Sequence, residues 1–126
     1  MKYFYIPCSI LVLILSLSLL NARLMERSTD EWCDMLTQAQ EAAAQDDWTK
    51  AGQILSDIHN AWDEKQSYFH IVSVHAELDE AEALLAKSLS FALDQDDAEF
   101  RANTAELITQ LRLLSEIQEV SIKNIL

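Results

Sequence analysis

The side chains best suited to chemistry are few. The histidines are His59, His70 and His75. His75 and Asp79 are four residues apart, so on a helix they share a face and could relay a proton or bind a cation. Metal sites in helical bundles commonly use a Glu three residues before each His, projected from facing helices. Positions 56, 67 and 72 hold Ser, Ser and Val, so that pattern is missing and a plain helix-face pair is the simpler reading. The run Glu77, Asp79, Glu80, Glu82 points several ways around a helix and reads as a solvated face. Asp94-x-Asp96 opens like a calcium loop, but Glu99 stands where the glycine is needed and Ala105 where the last carboxylate is needed. Gly52 is the single glycine, which rules out a phosphate-cradling loop and a G-x-S-x-G elbow. Cys33 is a lone thiol and reads as a packed small residue. Trp32, Trp48 and Trp62 could line a groove, yet they fall on apolar helix faces, where core packing is the simpler account. This leaves Trp48, Trp62, His75 and Asp79 as binding candidates. No catalytic, cofactor-binding or metal-ligating residue stands out, and the chain reads as a non-enzyme.

The elements that must position these residues are helical throughout. One Gly and one Pro leave little material for tight β-turns. Ser28-Thr29-Asp30-Glu31 has capping-box form and predicts a helix start. Trp32, Met35, Leu36, Ala39, Ala42 and Ala43 then follow helical spacing. Asp46-Asp47 interrupts, and either aspartate can cap a second helix carrying Trp48, Ala51, Ile54, Leu55, Ile58, Ala61 and Trp62. Gly52 lies off that stripe and could admit a close neighbour. Asp63–Ser67 is expected to end or kink the pattern. A third helix from Ser67 or Tyr68 carries Ile71, Val74, Leu78, Ala81, Leu85 and Ala92, widened by Leu84, Leu89 and Phe91. After Asp94–Asp97 a fourth shows Phe100, Leu107, Ile108, Leu111, Leu114 and Ile117. The apolar tail Val120–Leu126 is expected to dock. Gln45-Asp46-Asp47 and Gln95-Asp96-Asp97 form a faint repeat at a spacing of 50 residues. The expected fold is all-α: an N-terminal transmembrane helix, then a small antiparallel bundle of about four helices arranged as two hairpins.

Tyr3–Leu20 contains no charge. As a helix these residues reach roughly 27 Å, close to a thin hydrocarbon core. A cleavage site would want small residues, and Leu20-Asn21-Ala22 has a large one first, so an uncleaved anchor is favoured over secretion after cleavage near Ala22. Residues 1–22 are read as a signal anchor, 23–27 as a connector and 28–126 as an acidic helical domain. Lys2 on one side against Arg23 and Arg27 on the other slightly favours a cytoplasmic domain. The signal-like layout favours export, and an extracytoplasmic domain on a single-pass membrane protein is expected. Cys8 in the span and Cys33 beyond it are not expected to pair.

The chain carries nine Lys and Arg against 21 Asp and Glu, a net charge of −12. Removing Met1–Leu20 takes one base, Lys2, and no acid, so eight bases and 21 acids remain, a net of −13. That charge argues against nucleic acid as a partner. The expected contacts are the membrane, through residues 3–20, and another membrane or envelope protein. The alternative is an extracytoplasmic ligand-binding or sensory domain with a Trp-lined groove.

Several features occur in order. An N-terminal span precedes AAAQDDWTKAGQILSDIHNAWDEKQSYF, then HAELDEAEALLAKSLSFALDQDDAEF, then a leucine-rich helix ending SIKNIL. Together they resemble the bacterial single-span membrane-protein family known as domain of unknown function 4363. The cues are Trp48 and Trp62 after an acidic turn, the His75/Glu77/Leu78/Asp79 cluster and the Asn124-Ile125-Leu126 ending. The resemblance implies a helical architecture, a membrane address and spore-forming Gram-positive relatives. It supplies no catalytic residue.

Overall fold

The computed structural model describes the backbone of residues 2–72 and 75–125, with side chains for 3–66 and 76–116. Among these residues there are four helices: α1 (Lys2–Ala44), α2 (Trp48–Val72), α3 (His75–Leu93) and α4 (Asp97–Ile125). Each packs on its chain neighbours, and α4 closes the ring against α1. The all-α bundle of two hairpins is therefore what the chain forms.

α1 differs from expectation at one place. Residues 23–27 form no connector, and Ser28 caps nothing: a single helix of 43 residues runs from the apolar span into the bundle. The reason is local. Ala22, Arg23, Leu24, Met25 and Glu26 are all strong helix formers, and no Gly or Pro interrupts them. Met25 is buried and begins the core stripe four residues before Thr29. Pro7 lies in the first turns, where few hydrogen bonds are lost.

α2 likewise runs on through Asp63–Ser67 to Val72. Glu64, Lys65 and Gln66 favour helix, and the His59 imidazole pairs with Asp63 one turn on, 3.4 Å away. α3 starts at His75 rather than near Ser67. The stripe positions Ile71, Val74 and Ile117, and the docking expected of Val120–Leu126, lie outside the described side chains.

Core positions repeat in strict three-four alternation. They are Met25, Thr29, Trp32, Leu36, Ala39 and Ala43 on α1, and Ala51, Leu55, Ile58 and Trp62 on α2. On α3 they are Leu78, Ala81, Leu85, Ser88 and Ala92; on α4, Phe100, Thr104, Leu107, Leu111 and Leu114. A seven-residue period of this kind is the seam of a left-handed bundle. Three of these positions are polar. Thr104 donates its hydroxyl to the Phe100 carbonyl (2.8 Å) and accepts from Gln40 Nε2 (2.9 Å), which ties α4 to α1. The Thr29 and Ser88 hydroxyls have no hydrogen-bond partner among the described residues.

The two distal turns share one design. After α1, the Asp47 amide donates to Ala42 O and the Asp46 amide to Ala43 O; after α3, Asp96 donates to Phe91 O and Gln95 to Ala92 O. This is the Schellman closure, with Asp46 (φ 62°) and Gln95 (φ 58°) in the left-handed position that glycine usually fills. Asp47 Oδ1 then caps the Lys50 amide, and Asp96 Oδ1 the Glu99 amide. Asp47 matches Asp96, so the repeat spacing is 49 residues with no insertion, one fewer than the sequence match of Gln45 with Gln95 suggested. Shifted by 49, Thr29, Trp32, Leu36, Ala39 and Ala43 fall on Leu78, Ala81, Leu85, Ser88 and Ala92. Ala51, Leu55, Ile58 and Trp62 fall on Phe100, Thr104, Leu107 and Leu111. All of these residues are buried.

Candidate functional site

Trp48 and Trp62 stand 14 residues apart on α2, roughly 21 Å along its axis. They occupy separate levels of the core. Trp62 packs on Trp32 with ring centroids 5.5 Å apart. Lys65 places its ammonium 5.7 Å from the Trp32 ring and donates to Ser28 Oγ. Trp48 packs edge-to-face with Phe100, ring centroids 5.4 Å apart, and donates its indole N–H to Asp46 Oδ1 (2.9 Å). Asp79 is exposed on α3, and His75 opens that helix with its side chain outside the described residues. Nearby, Gln110 Nε2 donates to the Glu77 carbonyl and carboxylate, holding α4 to the start of α3.

Among the described residues no three His, Cys, Asp or Glu side chains converge as a metal site. Cys8 and Cys33 are both free and sit on the same helix, roughly 38 Å apart along it. Burial pushes the Cys33 thiol above its ordinary range, and the nearby Arg112 guanidinium only partly offsets this. Its Sγ faces the Ile108 carbonyl at 3.9 Å. A protonated, buried thiol is a poor nucleophile.

One concavity among the described residues lies between the start of α2 and the end of α3. It has a volume of about 500 Å³ and is lined by Trp48, Thr49, Gly52, Gln53 and Ser56 on one side and Leu89, Ala92, Leu93 and Gln95 on the other. No charged residue lines it. A Cβ built at Gly52 would meet nothing within 4 Å, so the glycine borders open space and does not admit a tightly packed neighbour. Leu93 is 74% exposed at the rim.

The bundle contains its own control for this groove. The 49-residue repeat maps the α2/α3 face onto the α4/α1 face. There Arg101 replaces Gly52 and pairs with Asp97 at 3.0 Å, on a residue that replaces Trp48. Gln40 replaces Leu89 and bonds Thr104, and Ala44 replaces Leu93. On the α4/α1 face these positions carry an ion pair and a hydrogen-bonded amide; on the α2/α3 face they carry Gly52, Leu89 and Leu93, and the lining is uncharged. Periodicity alone did not reveal this, because it becomes visible only when the hairpins are aligned at 49 residues.

A family model described as a domain of unknown function, DUF4363, matches residues 19–125. The chain belongs to the DUF4363 family. The match begins at the end of the apolar stretch and takes in the whole bundle. No curated protein and no solved structure matches this DUF4363 chain significantly.

The helix that leads into the DUF4363 bundle is long and apolar enough to cross a membrane. Its best window has a mean hydropathy of 2.2, none of it buried in the protein. Tyr3, Phe4, Tyr5, Ile6 and Val12 are each more than 60% exposed. A surface that apolar is unlike that of soluble bundles.

Proposed function

We propose that this DUF4363 protein is a single-pass membrane protein whose bundle docks another membrane or envelope protein, without catalysing a reaction. The observation that supports this is the open groove at Gly52. It has the dimensions and apolar floor to receive side chains of a partner helix, and the equivalent of Gly52 in the other hairpin is the charged Arg101, paired with Asp97. Apolar anchors entering beside Trp48 and Leu89 would gain from burial without desolvating a charge.

The test is Gly52→Arg, which places an Arg101-like side chain in the groove. Membranes carrying full-length protein with a photo-cross-linking residue at Gln53 should yield a discrete adduct. Gly52→Arg should reduce that adduct at least about tenfold with the unfolding temperature maintained. An adduct that survives Gly52→Arg would remove the groove from the function. The ligand-binding alternative gains nothing from the tryptophans as a set, because they stand roughly 21 Å apart along α2.

The signal-like layout of the N-terminal span favours a bundle held outside the cytoplasm. Cys33 is too buried to report this. Asp94→Cys, exposed at the far turn, should be labelled by an impermeant maleimide on intact cells; labelling only after lysis would place the bundle inside.

A further inference from the structure

Contacts across the bundle fix its register along α1. Lys65 meets Ser28, and Trp62 meets Trp32. On the other side Ile108 meets Cys33 and Thr104 meets Gln40. Followed at equal rise along antiparallel helices, this register sets Glu116 level with residues 25–28. It carries Ile125, the last residue of α4, to the level of residues 16–19. That level lies within the uncharged stretch Tyr3–Leu20. No linker separates the bundle from the span, because α1 is unbroken.

Charge sorts along the same axis. At or nearer the span than Ser28 lie Arg23, Arg27, Lys65 and Lys123 against Glu26, Glu77, Glu116 and Glu119, a side-chain net of zero, with Glu77 level with Ser28 in the 49-residue repeat. The remainder beyond the span holds four bases against 17 acids, a net of −13. Arg23 and Arg27 are exposed and share a helix face. Arg23 is three residues past Leu20, or about 5 Å, and Arg27 about 10 Å, within a Debye length of the surface at moderate salt.

We propose that this end of the bundle rests on the membrane surface and binds anionic lipid headgroups through Arg23, Arg27 and Lys65. The inference rests on the reading of residues 3–20 as a membrane span. An anionic surface repels the acidic body and attracts the exposed arginines beside the span, so the bundle stands upright on the span with its distal turns farthest from lipid. The arginine and lysine stems can lie along the apolar boundary while their charges reach phosphate.

The test uses the full chain reconstituted in vesicles of phosphatidylcholine alone or with about 30% phosphatidylglycerol. Unfolding is followed by the fluorescence of Trp32, Trp48 and Trp62. The anionic vesicles should raise the midpoint by about 5 °C, and about 500 mM salt should abolish the rise. Arg23→Gln with Arg27→Gln should lose most of it. Lys50→Gln with Lys87→Gln removes the same charge from exposed sites elsewhere on the bundle and should keep it. An equal or lower midpoint in anionic vesicles would overturn the inference, as would equal loss in both double variants. Release of the protein from membranes by alkaline carbonate is a different result: it would overturn the span itself, and this inference with it.

Discussion

The two hairpins are built on one plan and finished differently. Both close with the same Schellman turn, an aspartate cap and the same alternation of buried positions, 49 residues apart. At those positions the chemistry diverges. Ala51 faces the core where the second hairpin has Phe100, Leu55 where it has Thr104, and Ala39 where it has Ser88. The shared features are those a two-hairpin bundle needs; the unshared ones are free to serve something else. Gly52 against Arg101 and Leu89 against Gln40 concentrate that difference on one face.

The comparison breaks most readily in the core. Phe100 is fully buried and packs edge-to-face with Trp48. Phe100→Ala should cost about 3–5 kcal/mol, read as a lower urea midpoint. A cost below about 1 kcal/mol would show that Ala51 and position 100 are equivalent and the core can refill.

The caps come next. Asp47→Ala and Asp96→Ala should each cost about 1 kcal/mol, and the two should agree closely if the turns are equivalent. A difference above about 1 kcal/mol would mean that one turn carries load the other does not.

The left-handed residues sharpen the contrast. Gln95→Gly should stabilise by roughly 0.5–1 kcal/mol, because glycine fills that conformation without a Cβ penalty. Asp46→Gly should gain less or nothing, because Asp46 also accepts from the Trp48 indole. Equal gains would show that hydrogen bond to be worth nothing.

The smallest effect concerns Cys33. Burial raises its folded-state pKa, so the native state holds the thiol proton more tightly than the unfolded chain does. Stability from this group is full below the ordinary thiol range and falls as pH rises through it. Between about pH 8 and 10, wild-type protein should lose stability more steeply than Cys33→Ala. Parallel curves would remove the effect of burial.

Much of the architecture was legible beforehand. The four apolar stripes, both acidic turns and the aspartate caps follow from spacing and side-chain type. What was not legible has physical causes. Ser28-Thr29-Asp30-Glu31 has the chemistry of a helix start, but upstream residues with strong helix propensity and a buried Met25 carry the helix through it. Asp63–Ser67 looks like a break, yet without Gly or Pro it stays helical. Thr29, Ser88 and Thr104 are core positions hidden by their hydroxyls, and only Thr104 advertises its reason, through Gln40. At the groove, Gly52 was recognisable as unusual, but whether it admitted a neighbour or left a space depends on α3. Trp48 and Trp62 were visible as a pair in sequence and are separated by the length of the core.

The unbroken α1 gives the molecule a mechanical property. From Leu20 to Ala44 the helix extends roughly 36 Å with no joint at which bending could be absorbed. Membrane helices commonly tilt by about 20°, and over that length such a tilt carries the distal turns sideways by about 12 Å. A change in bilayer thickness, or in the packing of the span against another helix, would therefore be delivered at the opposite end as displacement. The groove beside Trp48 lies at that end, where the lever arm is longest.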